Sequence, residues 1–328
     1  MKISVIIPAY NCEATIRSTL DSVLEQTLPP DEILVLNDGS TDQTAAILRT
    51  YEPRVTVIHQ PNGGVASAIN ALCERATGDL IANLGSDDLW HPKYLEVQRR
   101  LFEAHPNAVA FFTAHANFSG DGHYRWESDP AAAPFSVEVI PPLDFLIRYN
   151  KAPGIFMCMS YCCIPKHVLN GLGSEPFKMK MAEDSYFFNL LAPRGPVLYA
   201  PVPLVAYRVR IGSLSSDRLA LTEAEVRVCE LLKPYYMNLP DRRFLSTFRV
   251  VTASKRRAHA KILLGIGKTK EARKQLWRSL SDSHSAICIA KSTGLLFLSC
   301  LPGSLQPAWP PPYRKFRVSG NEGQTANL

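Results

Sequence analysis

The sequence predicts an α/β fold, a mostly parallel sheet with helices on both faces, followed by a C-terminal α-helical extension. Two observations carry this. Short apolar runs alternate with amphipathic stretches through the first hundred residues, and strand signals stop near Ser216 while helical ones continue. The charge also changes sign along the chain. Residues 1–210 hold 17 Lys and Arg against 22 Asp and Glu, a balance of −5; residues 211–328 hold 19 against 8, a balance of +11.

Ile3 to Ile7 is a nearly unbroken apolar run closed by Pro8, the pattern of a strand covered on both faces. Ile16, Leu20, Val23, Leu24 and Leu28 recur at helical spacing until Pro29 and Pro30 end the helix. Glu32 to Leu36 reads as a second strand, and 41–51 as a helix capped by Ser40 or Thr41. Val55 to Ile58 is a third strand, Val65 to Ala76 a helix ended by Gly78, Leu80 to Leu84 a fourth strand, and Pro92 to about His105 a helix. Such alternation means parallel strands with helical crossovers.

Beyond residue 107 the pattern loosens. Val109 to Thr113 reads as a strand, Gly120 to Pro134 as a long loop suited to a lid or acceptor-binding segment, 183–192 as a helix and Pro203 to Val209 as a strand. Helices are expected at 218–236, 243–264, 269–281 and 285–300, the second and third able to form a helical hairpin.

With 328 residues, 46% hydrophobic and 20% charged, the chain has the composition of a folded protein with a sizeable core. No signal peptide is apparent, and no stretch reaches transmembrane length; Ile287 to Leu301 is interrupted by Lys291 and stopped by Pro302. Eight cysteines without a CxxC pair suit reduced core thiols and a cytoplasmic setting. The basic C-terminal part suits peripheral contact with anionic lipid at the inner face of a membrane, or simply solvated helix faces. Nucleic acid is excluded as a partner for want of a reading motif.

In a parallel sheet, ligands gather at the carboxyl ends of the strands. Here those ends are polar: Pro8-Ala9-Tyr10-Asn11, then Asn37-Asp38-Gly39-Ser40, then Asn62-Gly63-Gly64, then Gly85-Ser86-Asp87-Asp88. Together they supply a ring, glycine-turn backbone donors and two adjacent carboxylates, a set that suits a nucleoside diphosphate with a divalent cation. Tyr10 can stack on a base, Asp38 can accept from a base imide, and Asp87 and Asp88 are hard oxygen ligands for Mn²⁺ or Mg²⁺. Arg208 and Arg210 follow a strand and can reach a diphosphate, with a surface ion pair the alternative for Arg210. Capping alone explains Asp42, and local packing is the default for His91.

VIIPAYN (5–11), LNDGSTD (36–42), PNGGVASAIN (61–70) and GSDDLWHP (85–92), followed by AEDSYFF (182–188) and VAYRV (205–209), resemble family 2 glycosyltransferases of the GT-A fold. The resemblance covers about residues 2–215. It implies that Pro8, Ala9 and Tyr10 line the uracil or other base, that Asp38 contacts it, and that Asn11, Ser40, Asn62, Gly63, Asp87 and Arg208 complete the donor site. It implies Asp88, with Asp87, for the metal, and Asp184 of the Glu183-Asp184 pair as catalytic base. The implied reaction moves a sugar, with inversion, from a nucleotide-sugar (UDP-linked by preference) to a hydroxyl of a glycan or lipid-linked acceptor. Gly85 stands where the first Asp of the acidic motif is common, and Ile69 where Arg is common. The expected division is therefore a catalytic domain at 1–215 (donor half 1–106, acceptor half 107–215), a helical appendage at 216–305 and a Pro-rich tail without fixed fold at 306–328.

A catalytically silent binding module of the same fold is kept alive by Gly85 and Ile69. A nucleotidyltransferase would need a basic Gly-rich loop where Asn11-Cys12-Glu13-Ala14 stands, and a nicotinamide dehydrogenase a GxGxxG after the first strand. Gly267-Lys268-Thr269 has Ile262 where a phosphate loop needs glycine, and reads as a turn.

Overall fold

Four parallel strands whose carboxyl ends lie side by side open the computed structural model, which describes residues 1–120, 124–132, 134–151, 158–210, 216–283, 285–301 and 306–309. The expected domain boundary near residue 215 and most of the Pro-rich tail lie outside the described residues. The chain divides into two compact units, Met1–Arg210 and Ile211–Leu328.

The elements of the first unit are, in order, β1 (Ile3–Ala9), α1 (Ile16–Leu24), β2 (Glu32–Asn37), α2 (Thr44–Arg49), β3 (Thr56–His59), α3 (Val65–Arg75), β4 (Leu80–Asn83), β5 (Leu89–Trp90), α4 (Tyr94–Ala104), β6 (Ala110–Phe118), β7 (Glu138–Ile140), α5 (Pro142–Lys151), β8 (Cys162–Pro165), α6 (Lys166–Asn170), α7 (Glu183–Leu191) and β9 (Val197–Arg208). The sheet order is β3-β2-β1-β4-β8-β6-β9-β5, with β7 also on β9. β1 runs parallel to β2, with Ala9 opposite Asn37, and to β4, with Ile6 opposite Asn83. β2 runs parallel to β3.

Both sheet faces are covered, which is why β1 is apolar throughout. Val5, Ile7, Ile33 and Val35 join Ile16, Leu20, Leu48 and Leu95 of α1, α2 and α4 in one cluster. Ile6, Leu34 and Leu36, one residue out of phase, are equally buried, and α3 packs across β1 and β2.

Past β4 the sheet changes character. β8 inserts antiparallel to both β4 and β6, whereas β9 runs parallel to β6. β7, α5, β8 and α6 were not anticipated; β7, β8 and α6 are three to five residues long, too short to show a period. β6 extends to Phe118 and β9 begins at Val197, both longer than expected. α2 is shorter than expected: Gln43 rather than Ser40 or Thr41 stands at its N-cap, and Asp42 just before it accepts from Thr44 N at 2.9 Å.

The second unit consists, among the described residues, of α8 (Arg218–Met237), α9 (Arg242–Gly265), α10 (Thr269–Asp282) and α11 (Ala286–Cys300), each packed on the next. Tyr236 of α8 stacks on Phe248 of α9 at 3.8 Å. Gly267, at φ +80°, turns the chain between α9 and α10, so Gly-Lys-Thr is a hairpin turn. Buried Arg256 bonds Asp282 at 2.5 Å and Glu230 at 3.0 Å. No described helix is long and apolar enough to cross a membrane.

Candidate active site

The loops after β1 and β2 are stitched together. Asn11, at φ +45°, donates its N–H to Ser40 Oγ at 3.1 Å, and its Oδ1 accepts from Thr41 N at 2.8 Å. Asn tolerates this left-handed backbone better than most residues. The stitch leaves Tyr10 standing clear, 49% exposed. Ala9 is buried among the core residues, and its carbonyl accepts from Asp38 N at 2.8 Å. Pro8, half-buried, remains at the rim.

Asp38 is buried and organises the third loop. Its Oδ1 accepts from Gly63 N and its Oδ2 from Gly64 N, both at 2.9 Å, and Gln60 Nε2 donates to Oδ1 at 2.7 Å. The loops approach so closely that a Cβ on Gly39, itself at φ +72°, would stand 2.8 Å from Asn62 N. Asn62 and Gly63 are thereby presented, exposed, beside Asp38. Asp38 is thus first a brace for the Asn62–Gly64 turn.

The acidic turn after β4 is held by its backbone. Ser86 O accepts from Thr15 Oγ1 at 2.8 Å, Asp87 O from Arg208 Nε at 2.7 Å and Asp88 O from Thr19 Oγ1 at 3.0 Å. Arg208, expected at the donor, is 2% exposed, and its guanidinium also donates to Gly120 O and lies over the Phe118 ring. It braces the turn from within. Arg210 instead faces the carboxylate of Asp87, Nη2 to Oδ2, at 2.5 Å.

Asp88 is 1% exposed. Its Oδ1 accepts from Arg208 N at 2.9 Å and its Oδ2 from Ser160 Oγ at 2.6 Å. Burial and the charge of Asp87 push its carboxyl up against the pull of those two donors. Ser160 belongs to a single 3-10 turn, Met159–Tyr161, just before β8. The backbone of Met159, in the same turn, acts on the Asp184 carboxyl and opposes its rise. One short turn therefore holds Asp88 through Ser160 and lies beside Asp184. Glu183 and Asp184 open α7, where the helix dipole favours negative charge. Even so, burial and the neighbouring Glu183 raise the Asp184 carboxyl well above the ordinary range.

Sequence reasoning missed the company of these acids. Tyr161 stacks on His115 at 4.3 Å, Tyr207 meets both edge-on, and the phenols of Tyr161 and Tyr207 are raised first by burial, then by Cys158, Asp88 and Asp184. Half-buried His115 and Tyr207, backed by the fully buried Tyr161, thus stand beside both carboxylates. The VAYRV motif contained Tyr207; nothing in the sequence marked Ser160, His115 or Tyr161. His91 packs as expected, its Nδ1 accepting from Lys93 N at 3.1 Å. Ile69 is core.

The donor chemistry fits a divalent cation. A Cβ built on Gly85 would lie 3.2 Å from each of Asp87 Oδ1, Asp88 Oδ2 and Ser160 Oγ, so three hard oxygens face one small space that glycine leaves open. Among the described residues no three His, Cys, Asp or Glu side chains close around a point. Two carboxylates completed by substrate phosphates and water is how Mg²⁺-type sites are usually built.

The sequence model described as "Glycosyl transferase family 2" matches residues 4–170, just over half of the chain. The chain belongs to that family. Chondroitin synthase of Pasteurella multocida is 37% identical to this family 2 chain over 132 residues, 38% of the chain but only 14% of the relative. The chain thus spans a small part of the curated relatives it matches. EpsJ of Bacillus subtilis, an uncharacterised glycosyltransferase, is 36% identical over 130 residues, 39% of the chain and 35% of the relative. Among solved structures, S. aureus TarS 1-349 in complex with UDP-GlcNAc has a TM-score of 0.67 at 18% identity, covering 91% of this chain and 90% of that one. The mannosyltransferase PcManGT of Pyrobaculum calidifontis, in complex with GDP-Man and Mn²⁺, has a TM-score of 0.57 at 19% identity, covering 92% and 81%. The fold is shared with these enzymes, a mixed α/β sheet followed by helices.

Proposed function

We propose that the chain transfers a sugar from a nucleotide-sugar, UDP-linked by preference, to a hydroxyl of a glycan or lipid-linked acceptor, with inversion. The observation that carries this is the gathering of Asp88, bonded to Ser160, and Asp184 beside one turn, with Tyr10, Asp38 and the Asn62–Gly63 turn on the same rim.

Tyr10 stacks on the base with Pro8 beside it, and Asn11, Ser40, Asn62 and Gly63 shape the nucleoside pocket that Asp38 braces. Residues 107–215 supply the acceptor side. The Asp184 carboxylate takes the proton of the acceptor hydroxyl as its oxygen attacks the anomeric carbon, and the nucleoside diphosphate departs in line. Its raised pKa makes it a stronger base than a solvent-exposed carboxylate, and Glu183, one residue away, sustains that shift. Asp88, with Asp87, is the seat for Mn²⁺ or Mg²⁺, which supplies charge neutralisation for the leaving diphosphate. His115 and Tyr207, backed by buried Tyr161, keep water from the acids, and their half-buried rings offer a face to a sugar. The UDP-GlcNAc held by TarS and the Mn²⁺ held by PcManGT support the donor class and the cation. The basic second unit suits contact with the inner face of a membrane.

The test is release of free nucleotide from a panel of UDP- and GDP-sugars, with and without Mn²⁺ or Mg²⁺. Asp184→Asn should lower turnover by about 10²–10⁴ with donor affinity kept. Turnover at the wild-type rate would remove Asp184 from the role. The silent-module reading, favoured by Ile69 and Gly85, requires donor binding with no turnover by the wild type.

A further inference from the structure

Helix α11 carries apolar side chains both inward and outward. Leu295 and Leu296 pack, partly buried, against the core of α9 and α10, while its buried side chains are Cys288, Ser292 and Ser299. These three meet polar partners: Ser279 Oγ and Ser292 Oγ are 2.8 Å apart, Arg257 Nη1 donates to Ser292 Oγ at 3.3 Å, and Arg273 Nη2 donates to Ser299 O at 2.8 Å. The outward side is largely apolar as well. Ile287 and Phe297 are 66% and 67% exposed, and with Ala290 and Gly294 they follow the three-and-four spacing of one face. Lys291, exposed beside them, is the one charged residue of the helix. A surface helix of a soluble protein normally keeps such large apolar side chains to its core face.

The surroundings say what covers this face. α10, packed on α11, exposes Lys270, Lys274 and Arg278, and Trp277 beside them is 65% exposed. The unit as a whole carries +11. A second copy would bury the stripe but would set +11 against +11. An anionic bilayer answers both features, taking apolar side chains at the acyl boundary and cations at the head groups. Fifteen residues span about 22 Å, short of the roughly 30 Å hydrocarbon core, so the helix lies along the surface.

We propose that α11 is an in-plane membrane anchor, in which Ile287, Phe297 and Trp277 enter the lipid while the cations of α10 meet anionic head groups. The proposal rests on the membrane-contact reading of the second unit and not on the transferase chemistry. It is tested by sedimenting the full chain with phosphatidylcholine vesicles, with or without phosphatidylglycerol. Wild type should bind the anionic vesicles, and Ile287→Asp/Phe297→Asp should weaken binding on the order of a hundredfold. Lys270→Gln/Lys274→Gln should weaken it most at low salt, the difference from wild type shrinking as salt rises. Ile287→Val/Phe297→Leu, as a folding control, should bind like wild type. Nucleotide release from a soluble donor should be equal in all of them, so failure of either reading shows separately. Unchanged vesicle binding by the Asp pair overturns the proposal. So does a wild-type dimer that the Asp pair splits without any vesicle binding, which would make the stripe a contact between copies.

Discussion

Asp88 is a carboxyl whose environment resists ionisation, and this has a measurable sign. Its folded pKa is pushed up to about 8 by burial and by Asp87, from an ordinary value of about 4 in the unfolded chain. Its contribution to stability is therefore complete below about pH 4 and is lost as pH rises through about 8. Without divalent cation, Asp88→Asn should gain on wild type in thermal stability as pH goes from about 5 to about 9. Mn²⁺ should reverse the comparison at the upper end, because the ionised carboxylate is the ligand. Melting curves of both proteins across that series decide it; a gap independent of pH would mean that Asp88 is ionised throughout. At Gly39 the constraint is steric. Gly39→Ala combines φ +72° with a Cβ 2.8 Å from Asn62 N, so it should cost about 1–3 kcal/mol and raise donor KM by displacing the Asn62 turn. Unchanged denaturant midpoint and KM would contradict this.

Among elements, two connections position the chemistry without touching substrate. Ser160 Oγ accepts from Gly85 N at 2.9 Å while donating to Asp88. Ser160→Ala leaves both groups short of a partner, which should cost about 1–3 kcal/mol and weaken Mn²⁺ binding, read by titration. Asn70 of α3 makes two bonds to the backbone of Phe177, Nδ2 to O at 2.8 Å and N to Oδ1 at 3.0 Å. The Phe177 ring stacks on Phe187 of α7 at 4.3 Å, so α3 is tied to the helix that begins with Glu183 and Asp184. Asn70→Ala should lower kcat by roughly tenfold to a hundredfold with donor KM kept; a rise in KM alone would place Asn70 at the donor. β1, β2 and β4 were legible because strands covered on both faces are apolar throughout. Ser160 as the partner of Asp88 was not, since Cys158 to Tyr161 has no charged residue. The exchange of roles between Arg208 and Arg210 was readable in principle: Val202, Leu204, Ala206 and Arg208 share a buried alternation.

In the whole molecule, the change of charge at residue 210 coincides with a change of architecture between the two compact units. The motifs placed the rim of the first unit, whereas the buried ion network of the second lay hidden among surface-like helices. Removing Arg256 strands the Asp282 carboxylate, 9% exposed, and Arg256→Ala should cost about 3–5 kcal/mol. Hydrogen exchange should show protection lost in α8 to α10 and kept in β1 and β2. The turn at Met159–Tyr161 has a further consequence. In the proposed mechanism the proton acceptor and the phosphate-side carboxylate both lie against this one stretch of main chain, so the gap between them should not change with the size of the sugar that is carried. Variants selected for a new donor should therefore alter the walls around that gap, at His115 or Tyr207, and keep the bracket itself.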